Sequence, residues 1–380
     1  MERNEQRKIR ARRKKIQKKR RKTRRKKRIM LLVTEVLVLC VLGATAFAMF
    51  KLDKLNMTAL DNVENNGLEQ EGYTNVALFG TDNRAGELEG VRSDCIIVAS
   101  INNKTKEVKM MSVYRDTLLL QEDGYYNKAN SAYSADGPEG AINMLNRNLD
   151  LDISDYVSVN FLALADVIDL LGGIELDLTY EEVCHMNNYC VETSEITGKD
   201  YEPIDPEVAG TYRLNGVQAV SYARIRYTEG GDFARTQRQR IVIEKIADKA
   251  KSAKLTTLNK IIDAVLPEIS TSFTSSEIVK LAAGVLDYSI GESKGFPFET
   301  ETPDSIPGYT GSYVVAVGLE DNVRQAHEFL FPEETYEPTE TVKNISNELM
   351  YLTQIYPAGY WEESSSENTD TESDGESDYE

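Results

Sequence analysis

The spacing of hydrophobic and polar positions predicts alternating strands and helices between residues 73 and 332. Short apolar runs typical of strands lie at 75–80, 94–101, 108–114, 155–160, 174–179 and 312–318. Apolar positions at helical spacing lie at 137–149, 161–171, 214–223, 232–251, 256–268, 275–288 and 320–330. Helices placed between strands indicate an α/β fold, which we predict to be a layered α-β-α sandwich with a mixed central sheet.

An apolar segment near the N-terminus has the length of a membrane span. Residues 29–50 contain 22 positions without Lys, Arg or Asp, and Glu35 is their one charge. At about 1.5 Å rise per residue they cover the roughly 30 Å of a bilayer core. The basic flank predicts a single-pass protein of the cell membrane with a cytoplasmic N-terminus and an extracellular domain. A cleaved signal peptide ending near Ala44-Thr45-Ala46 is the alternative, which the length of the span disfavours.

Charge is divided unevenly along the chain. Residues 1–28 hold 18 Lys or Arg and two acids, whereas the other 352 residues hold 26 basic and 60 acidic side chains. A basic segment beside a membrane helix typically fixes topology and contacts anionic lipid. The acidic remainder argues against nucleic acid as a partner, because phosphate backbones need a basic surface.

These patterns divide the chain into segments with different roles. We predict a basic cytoplasmic tail at 1–28, a transmembrane helix at 29–50, a stalk at 51–72, a layered α/β domain at 73–332, a C-terminal extension at 333–361 and an acidic disordered tail at 362–380. The last segment has nine acids and no base. Such a composition cannot bury enough apolar surface to fold.

The few cysteines and histidines restrict the possible chemistry. Cys184 and Cys190 are six residues apart in a polar stretch and form either a disulfide or two free thiols. His185 between them completes no common zinc pattern. Neither His185 nor His327 lies near a nucleophile motif, which argues against a Ser-His-Asp or Cys-His hydrolase. Catalysis would therefore rest on carboxylates, arginine and a metal ion.

Five of the 11 arginines that follow residue 50 lie within 17 residues. They are Arg224, Arg226, Arg235, Arg238 and Arg240. The first two belong to a segment predicted to be extended, 224–227, and so point to one side. Arg235 and Gln239 share a face of the next helix, whose N-terminus, with Asp232 as the expected N-cap, favours an anion. Because guanidinium groups match phosphate oxygens, we favour a pyrophosphate site over a solvated helix face.

A second set of charged residues lies at the predicted ends of three strands. Asp82 follows the first strand, and Arg92 and Asp94 begin the second. Arg115 and Asp116 follow the third. If the first two strands pair, Asp82 and Asp94 come close together, and two carboxylates beside phosphate oxygens are an ordinary Mg²⁺ arrangement. Turn formation by Asp82 and a strand-end ion pair of Arg115 with Asp116 are the simpler structural explanations.

These segments resemble the LytR-CpsA-Psr family of Gram-positive cell-envelope proteins. The matching segments lie in the family's order at 75–84, 92–94, 112–117, 127–133, 137–141, 171–173, 214–219, 222–226 and 231–239. The resemblance covers roughly residues 73–332. Three positions depart from the family pattern: Tyr114, where the family usually has proline, Cys95, where threonine is common, and the segment 127–130, which matches the pattern loosely.

The resemblance implies an extracytoplasmic phosphotransferase. Such proteins take a glycopolymer, such as wall teichoic acid or capsule, from a polyprenyl-pyrophosphate carrier and attach it to peptidoglycan through a phosphodiester. The expected cofactor is Mg²⁺, or alternatively Mn²⁺, at positions matching Asp82 and Asp94. The expected catalytic residues are Asp82, Arg92, Asp94, Arg115, Arg224 and Arg226. The expected pyrophosphate-binding residues are Arg92, Arg115, Lys128, Arg224, Arg226, Asp232, Arg235 and Gln239. The polyprenyl chain would lie in an apolar channel between sheet and helices.

Three other functions stay open at the level of sequence. A polyprenyl-pyrophosphate pyrophosphatase would use the same residues with water as acceptor. A membrane-bound transcriptional regulator would act through residues 1–28, although so short a segment lacks a folded module. A non-catalytic module would bind the lipid carrier alone.

In the favoured mechanism cations neutralise the pyrophosphate while a sugar hydroxyl attacks in line, with Asp94 or Asp232 as general base.

Overall fold

A seven-stranded mixed sheet forms the centre of the fold. The structure, a computed structural model, describes residues 56–81, 91–283 and 287–360, all of which belong to the unit Leu55–Glu380. The strands are β1 (Asn56–Met57), β2 (Tyr73–Thr81), β3 (Ser93–Asn102), β4 (Glu107–Val113), β5 (Leu118–Leu120), β6 (Tyr126–Lys128), β7 (Asp155–Asn160), β8 (Ile174–Leu178), β9 (Gly210–Leu214), β10 (Ile269–Thr271), β11 (Ser289–Phe296), β12 (Thr300–Glu301) and β13 (Val315–Ala316). The helices are α1 (Ala129–Leu149), α2 (Phe161–Leu170), α3 (Tyr180–Thr197), α4 (Gly216–Arg224), α5 (Gly231–Ser252), α6 (Leu255–Val265), α7 (Ser275–Ala283), α8 (Leu319–Leu330) and α9 (Glu340–Thr353).

The order of strands in the main sheet is β1-β10-β7-β2-β3-β4-β11. Neighbouring strands are parallel in the pairs β1/β10, β7/β2 and β4/β11, and antiparallel in the other three. Three two-stranded sheets, β5-β6, β8-β9 and β12-β13, lie outside it. The prediction of an α/β fold with a mixed central sheet is therefore confirmed.

The hairpin of β2 and β3 places the predicted site at one end of the sheet. In the antiparallel register Gly80 pairs with Cys95 and Thr81 with Ser93. Asp82 follows Thr81 directly in the sequence and lies outside the described residues. Asp94 is thus beside the last described residues of β2, and the predicted proximity of Asp82 to Asp94 stays a prediction.

One face of the sheet is covered by α1, α8 and α9. Ala77 and Phe79 of β2 point to this face and are 0% and 2% exposed. They share a continuous apolar core with Leu145 of α1, Val323 of α8 and Ile345 of α9. Successive side chains of a strand point to opposite faces, so Leu78 and Gly80 face the other side.

The opposite face is covered by α2, α4 and α5, and α3 and the small sheet β8-β9 pack against these helices. Their apolar residues form a second core that includes Ile168, Leu176, Val183, Val217 and Val242. This core does not fill the space above Leu78 and Gly80, where a cavity remains. The two faces of the same sheet are therefore packed differently.

Several predicted element boundaries change in the structure. Helix α1 begins eight residues before the predicted helix and is interrupted at Asp136 and Gly137, after which Pro138 starts its second part. Asp232 is not the N-cap of α5, because Gly230 takes that position and Asp232 lies in the first turn. Residues 224–227 are not a strand: Arg224 ends α4, and the chain then turns.

The polar stretch around the two cysteines is the helix α3. A capping box formed by Thr179 and Glu182 starts it. Cys184 and Cys190 are six residues apart on this helix and are free thiols. Because six residues span about 9 Å along a helix, their sulfur atoms cannot join.

The folded unit extends beyond the predicted limits of the catalytic domain on its N-terminal side. β1 pairs with β10, although it lies in the segment predicted to be a stalk. The backbone N–H of Asp61 donates to Glu139 Oε2 over 2.6 Å, and that of Gln70 donates to Asp152 Oδ2 over 2.8 Å. Residues from 56 onward are therefore held against the domain by hydrogen bonds.

The predicted C-terminal extension is also packed into the domain. Val342, Ile345 and Leu349 of α9 are at most 3% exposed and belong to the core of the first sheet face. Buried Asp150 accepts hydrogen bonds from Tyr336 Oη at 2.6 Å and from the Thr339 backbone at 2.8 Å. The apolar face of α9 explains why this segment folds with the domain.

Three predicted segments lie outside the described residues: the basic tail at 1–28, the transmembrane helix at 29–50 and the acidic tail at 362–380. Within the described part of the chain, no helix combines the length and the hydropathy that crossing a membrane requires.

Candidate active site

Asp94 and two arginines from distant parts of the chain form the centre of the candidate site. Arg115 Nη1 donates to Asp94 Oδ1 over 2.7 Å, and Arg226 Nη2 lies 3.4 Å from Asp94 Oδ2. The register of β3 and β4 pairs Ile97 with Ser112 and, continued along the strands, places Asp94 opposite Arg115. Arg226 comes from the turn after α4.

Arg115 lies between two further carboxylates. Its Nε is 3.4 Å from Asp116 Oδ2 and 3.6 Å from Asp232 Oδ1, without a hydrogen bond to either. Asp116 accepts a hydrogen bond from Lys128 Nζ at 2.9 Å. Lys128 is therefore connected to the site by its ion pair with Asp116.

Arg235 is buried at the base of the cluster, with 2% of its surface exposed. Its Nη2 is 2.9 Å from Asp232 Oδ1 and 3.5 Å from the backbone oxygen of Asp94. Its Nε and Nη1 have no hydrogen-bond partner. A buried guanidinium with unpaired donors is costly, so these groups fit an anionic ligand.

The turn before α5 brings Arg235 to this position. Gly230 and Gly231 have φ values of 85° and 51°, which glycine adopts at little cost. The chain thus reverses sharply between Arg226 and α5. Arg235 then lies in the second turn of the helix, near N–H groups that favour an anion.

The charges of the cluster shift one another's pKa. Burial alone would raise the pKa of the Asp94 carboxyl, but Arg115, Arg235 and Arg226 outweigh it and hold the pKa below its usual value. Burial lowers the pKa of Arg235, and the neighbouring cations Arg115 and Arg226 add to this against the attraction of Asp232 and Asp94. The site therefore concentrates positive charge around an ionised carboxylate.

An apolar cavity of about 790 Å³ opens beside this cluster. Residues of β2, β3, β7, α2, α3, α4 and α5 line it. The apolar residues that line it include Leu78, Ile97, Val157, Val159, Phe161, Leu164, Val220, Ala223, Val242 and Ile243. Asp94, Arg224, Arg226, Arg235 and Gln239 also line it. The cavity thus combines a long apolar surface with a group of charges.

Helix α3 supplies a wall that holds Arg224. Arg224 Nη2 lies 2.9 Å from Glu192 Oε2, and its Nη1 donates to Thr193 Oγ1 over 2.9 Å. The guanidinium carbon lies 5.0 Å from the ring centre of Phe161 and 5.6 Å from that of Tyr189. Cation–π contacts of this kind fix the guanidinium at the cavity wall.

Comparison with known proteins identifies the family of this fold and site. The sequence profile described as the LytR_cpsA_psr family matches residues 44–311. The chain belongs to the LytR-CpsA-Psr family. A relative from Enterococcus faecalis, named polyisoprenyl-teichoic acid–peptidoglycan teichoic acid transferase TagU, is 32% identical over 264 residues, which are 67% of this chain and 80% of the relative.

Two further comparisons agree with this assignment. The protein named polyisoprenyl-teichoic acid–peptidoglycan teichoic acid transferase TagV from Bacillus subtilis is 30% identical over 301 residues, covering 72% of this chain and 74% of TagV. The crystal structure of gbs0355 from Streptococcus agalactiae superposes with a TM-score of 0.57 at 25% identity, covering 73% of this chain and 94% of that chain. The family resemblance read from the motifs is therefore confirmed.

The structure brings together most of the residues predicted from the LytR-CpsA-Psr motifs. Those in or next to the charged cluster are Asp94, Arg115, Lys128, Arg226, Asp232 and Arg235. Arg224 and Gln239 line the cavity. Arg92 is exposed just before β3, and Asp82 lies outside the described residues.

Two arginines of the sequence cluster have other roles in this family member. Arg238 donates to Glu182 Oε1 over 2.9 Å and to the Ile225 backbone oxygen over 3.2 Å. It therefore fastens α5 to α3 and to the turn after α4. Arg240 is buried beside Tyr114 and Glu244.

Tyr114, which departs from the usual proline of the family, is accommodated by Gly295. The backbone N–H of Tyr114 donates to Phe296 O over 3.0 Å, a bond that proline could not make. Its ring meets the edge of Phe233 with ring centres 4.5 Å apart. A Cβ atom at position 295 would overlap the phenol of Tyr114, so glycine there leaves the space the ring needs.

The donor set is compatible with Mg²⁺ but incomplete within the described ranges. Asp94 offers an ionised oxygen donor of the type that Mg²⁺ prefers. Among the described residues, no group of three or more acidic, histidine or cysteine side chains could hold a metal.

Sequence reasoning missed the cavity wall formed by α3. His185, Tyr189 and Glu192 line the cavity from this helix. They are spaced four and three residues apart, which is a helical face. That spacing, together with the capping signal at Thr179 and Glu182, could have identified the helix, although not its position over the sheet.

Proposed function

We propose that this chain transfers a glycopolymer from a polyprenyl-pyrophosphate carrier to peptidoglycan, forming a phosphodiester. The names of the relatives TagU and TagV, which describe teichoic acid transfer to peptidoglycan, support this assignment. The substrate is amphipathic, with an apolar chain joined to a dianionic group. A protein that binds it needs an apolar cavity and cations at one end.

The cavity beside the arginine cluster is the observation that carries the proposal. Its volume of about 790 Å³ lies in the range of ligand-binding cavities. Three guanidinium groups, those of Arg115, Arg226 and Arg235, surround Asp94 at the cavity. The polyprenyl chain fits the apolar walls, and the pyrophosphate fits the unpaired donors of Arg235.

The cluster neutralises and positions the phosphates in the proposed reaction. The acceptor hydroxyl oxygen forms a bond to the glycan-linked phosphorus while the bond from that phosphorus to the bridging oxygen breaks. Polyprenyl phosphate leaves with the bond electrons, and the hydroxyl proton passes to a base. Arg115 and Arg235 face the charge that builds on the leaving phosphate, which is where fixed cations lower the barrier most.

Asp94 is a poor general base in this scheme. Both of its oxygens face guanidinium groups, and its pKa is held below the usual value. A base works best with a pKa near the operating pH. Asp94 instead orients Arg115 and Arg226.

Mg²⁺ is the proposed cofactor, with Mn²⁺ as the alternative, and Asp82 and Asp94 would hold it. When bound, the ion would supply positive charge to the pyrophosphate oxygens. If it binds here, millimolar MgCl₂ raises the melting temperature of the full-length protein without substrate. The variants Asp82→Ala and Asp94→Asn should then lose this Mg²⁺-dependent shift, whereas Asp177→Asn, an exposed control on β8, keeps it.

We further propose that residues 29–50 anchor the protein in the membrane, with the catalytic domain outside the cell. The carrier is a membrane lipid, so a tethered domain meets it at the outer leaflet. Protease added to intact cells should remove the domain and leave a fragment containing residues 1–28.

Transfer is tested with the full-length protein in detergent micelles. The donor is a polyprenyl-pyrophosphate glycan with a labelled sugar, and the acceptor is uncross-linked peptidoglycan, with MgCl₂ present. We expect the label in the peptidoglycan fraction and free polyprenyl phosphate in the organic phase. Release of the labelled glycan phosphate into water despite saturating acceptor would instead show a pyrophosphatase, and binding without turnover would show a carrier-binding module.

A further inference from the structure

A second cavity, of about 440 Å³, lies between the β5-β6 turn and α9. We call it the tyrosine groove and define it by Tyr125, Tyr126, Tyr309, Asn347, Glu348 and Tyr351. Tyr125 and Tyr351 are 73% and 80% exposed, which is uncommon for large aromatic side chains. Nothing in the proposed phosphate chemistry uses these residues.

The side chains of the tyrosine groove suit a carbohydrate. The C–H face of a sugar ring is apolar and weakly positive, so it stacks on the negative face of an aromatic ring. Glu348 and Asn347 are exposed on the same side of α9 and offer acceptors and donors for hydroxyl and acetamido groups. Tyr126 Oη donates to Glu348 Oε2 over 2.7 Å, which fixes the carboxylate at the groove.

The groove is connected to the charged cluster by strand β6. Tyr126 and Lys128 are two residues apart on this strand, so their side chains share one face at a spacing of about 7 Å. Lys128 Nζ lies 5.0 Å from the ring centre of Tyr313 and 2.9 Å from Asp116. Tyr313 in turn meets the edge of Tyr309, with ring centres 5.6 Å apart.

Side-chain contacts also link the groove to the reacting centre. They run from Tyr309 through buried Tyr313, Lys128 and Asp116 to Arg115. Because Lys128 lies about 7 Å along β6 from Tyr126 and pairs with Asp116, a glycan strand that follows β6 from the groove reaches the neighbourhood of the arginines.

The charge of the groove distinguishes between the two glycans of the proposed reaction. Of the described residues that line it, Glu348 is the one charged side chain, and none is a cation. Asp123 is exposed on the adjoining turn. These carboxylates repel a polymer that carries a phosphate on each repeat. They tolerate a strand of N-acetylated sugars, whose backbone hydroxyl and acetamido groups are neutral.

We propose that the tyrosine groove binds the acceptor, a peptidoglycan glycan strand, and so provides the second substrate site of the enzyme. This inference rests on the proposed transfer reaction and names where its acceptor lies.

Direct binding tests the groove without requiring turnover. The probes are chitotetraose, a neutral N-acetylglucosamine tetramer, and a glycerol-phosphate oligomer, each titrated into the full-length protein in detergent. Tyr125→Ala and Tyr351→Ala change exposed residues and should fold normally. We expect each to weaken chitotetraose binding about tenfold, equivalent to about 1.4 kcal/mol. Tyr180→Ala, an exposed tyrosine on α3 that is 58% exposed, is the matched control and should change binding less than twofold.

Transfer kinetics provide the second measurement. In Tyr351→Ala the KM for uncross-linked peptidoglycan should rise about tenfold, while kcat and the KM for the lipid-linked donor stay within twofold. Chitotetraose binding that is unchanged in both groove variants overturns the proposal. The proposal is also overturned if the groove variants lose binding of the glycerol-phosphate oligomer and not of chitotetraose, because the groove would then bind the donor polymer. If wild-type protein shows no transfer but its chitotetraose binding depends on the tyrosines, the proposed transfer fails while the groove remains a glycan site.

Discussion

The two faces of the central sheet are built from alternate residues of the same strands, yet they are packed in different ways. Phe79 is enclosed by aromatic and aliphatic side chains, with the edge of Tyr133 at 5.0 Å between ring centres. Leu78, the preceding residue, faces the cavity of about 790 Å³. Protein interiors contain few voids larger than a water molecule. The contrast shows that one face is closely packed, whereas the other leaves a cavity, which is where the proposed substrate would bind.

Removing a cation from the cavity face should have the largest effect on activity. Arg115→Ala should lower the transfer rate by about 10²–10³-fold, because a fixed charge facing the leaving phosphate is lost. The fold should persist, since Asp94 keeps Arg226 and Asp116 keeps Lys128. Transfer of labelled glycan and thermal unfolding are measured together.

Arg147→Ala is the control for this substitution. Arg147 pairs with Glu64 and Glu122 at 3.3 Å, away from the cavity. Its removal should leave the rate within twofold of wild type. Normal transfer by Arg115→Ala would refute the assignment of the charged cluster as the reacting site.

Truncating neighbouring residues of β2 tests the difference in packing directly. Phe79→Ala should lower the free energy of unfolding by about 3–5 kcal/mol, because it opens a hole in a filled core. Leu78→Ala should cost less than about 2 kcal/mol, since its side chain already borders open space, and should weaken binding of the polyprenyl donor. Both are measured by denaturant unfolding, and equal losses in the two variants would contradict the comparison.

The packed face also predicts a dependence of stability on pH. Burial lowers the pKa of His327 to about 4, and its Nε2 lies 2.9 Å from the Leu149 oxygen. The unfolded chain binds a proton at this residue below about pH 6.5, whereas the folded protein does so only below its lowered pKa. The contribution of His327 to the free energy of unfolding is therefore fully present above pH 6.5. It falls as the pH drops toward 4, by roughly 3 kcal/mol in total.

His327→Gln isolates this effect, because glutamine keeps a donor near Leu149 and does not titrate. Between pH 7 and pH 5 the free energy of unfolding should fall less steeply in the variant than in the wild type. Identical slopes would show that another group causes the dependence.

Gly295→Ala should reveal that parts of the cavity face are tightly packed. The added methyl group would overlap Tyr114, and overpacking of this kind costs about 1–3 kcal/mol. In the double variant with Tyr114→Ala the added methyl group meets open space. The losses of unfolding free energy in the two single variants should therefore not add. A double-mutant cycle of unfolding free energies measures the coupling, and additive losses would place the strain elsewhere.

Much of the fold followed from local sequence patterns. β7 has the predicted limits, 155–160, and α2, α5 and α8 differ from prediction by at most one residue at either end. These elements have long periodic patterns and clear terminal residues. The helix α3 was missed because most of its residues are polar and two of its five buried positions are threonines, Thr193 and Thr197, which weakens its apolar pattern. The short strands β10 and β12 carry too little pattern to be recognised.

The charged residues of the candidate site were predictable from the sequence, whereas the residues that line its cavity were not. Motif matches gave Asp94, Arg115, Arg226 and Arg235, because their spacing is specific. The same cluster of arginines also suggested Arg238, which the structure turns toward Glu182. Adjacent residues of a helix point about 100° apart, so a small difference in position separates a ligand-facing side chain from a structural one.

The sequence by itself determined the family, the alternation of strands and helices, and the charged side chains available for phosphate chemistry. Only the tertiary structure decided that Arg235 is buried with unpaired donors, that α3 closes the cavity, and that the C-terminal helix α9 meets β6 in a tyrosine groove. The reason is physical. Periodicity and turn signals depend on neighbours along the chain, whereas a cavity depends on how closely elements far apart in sequence approach one another.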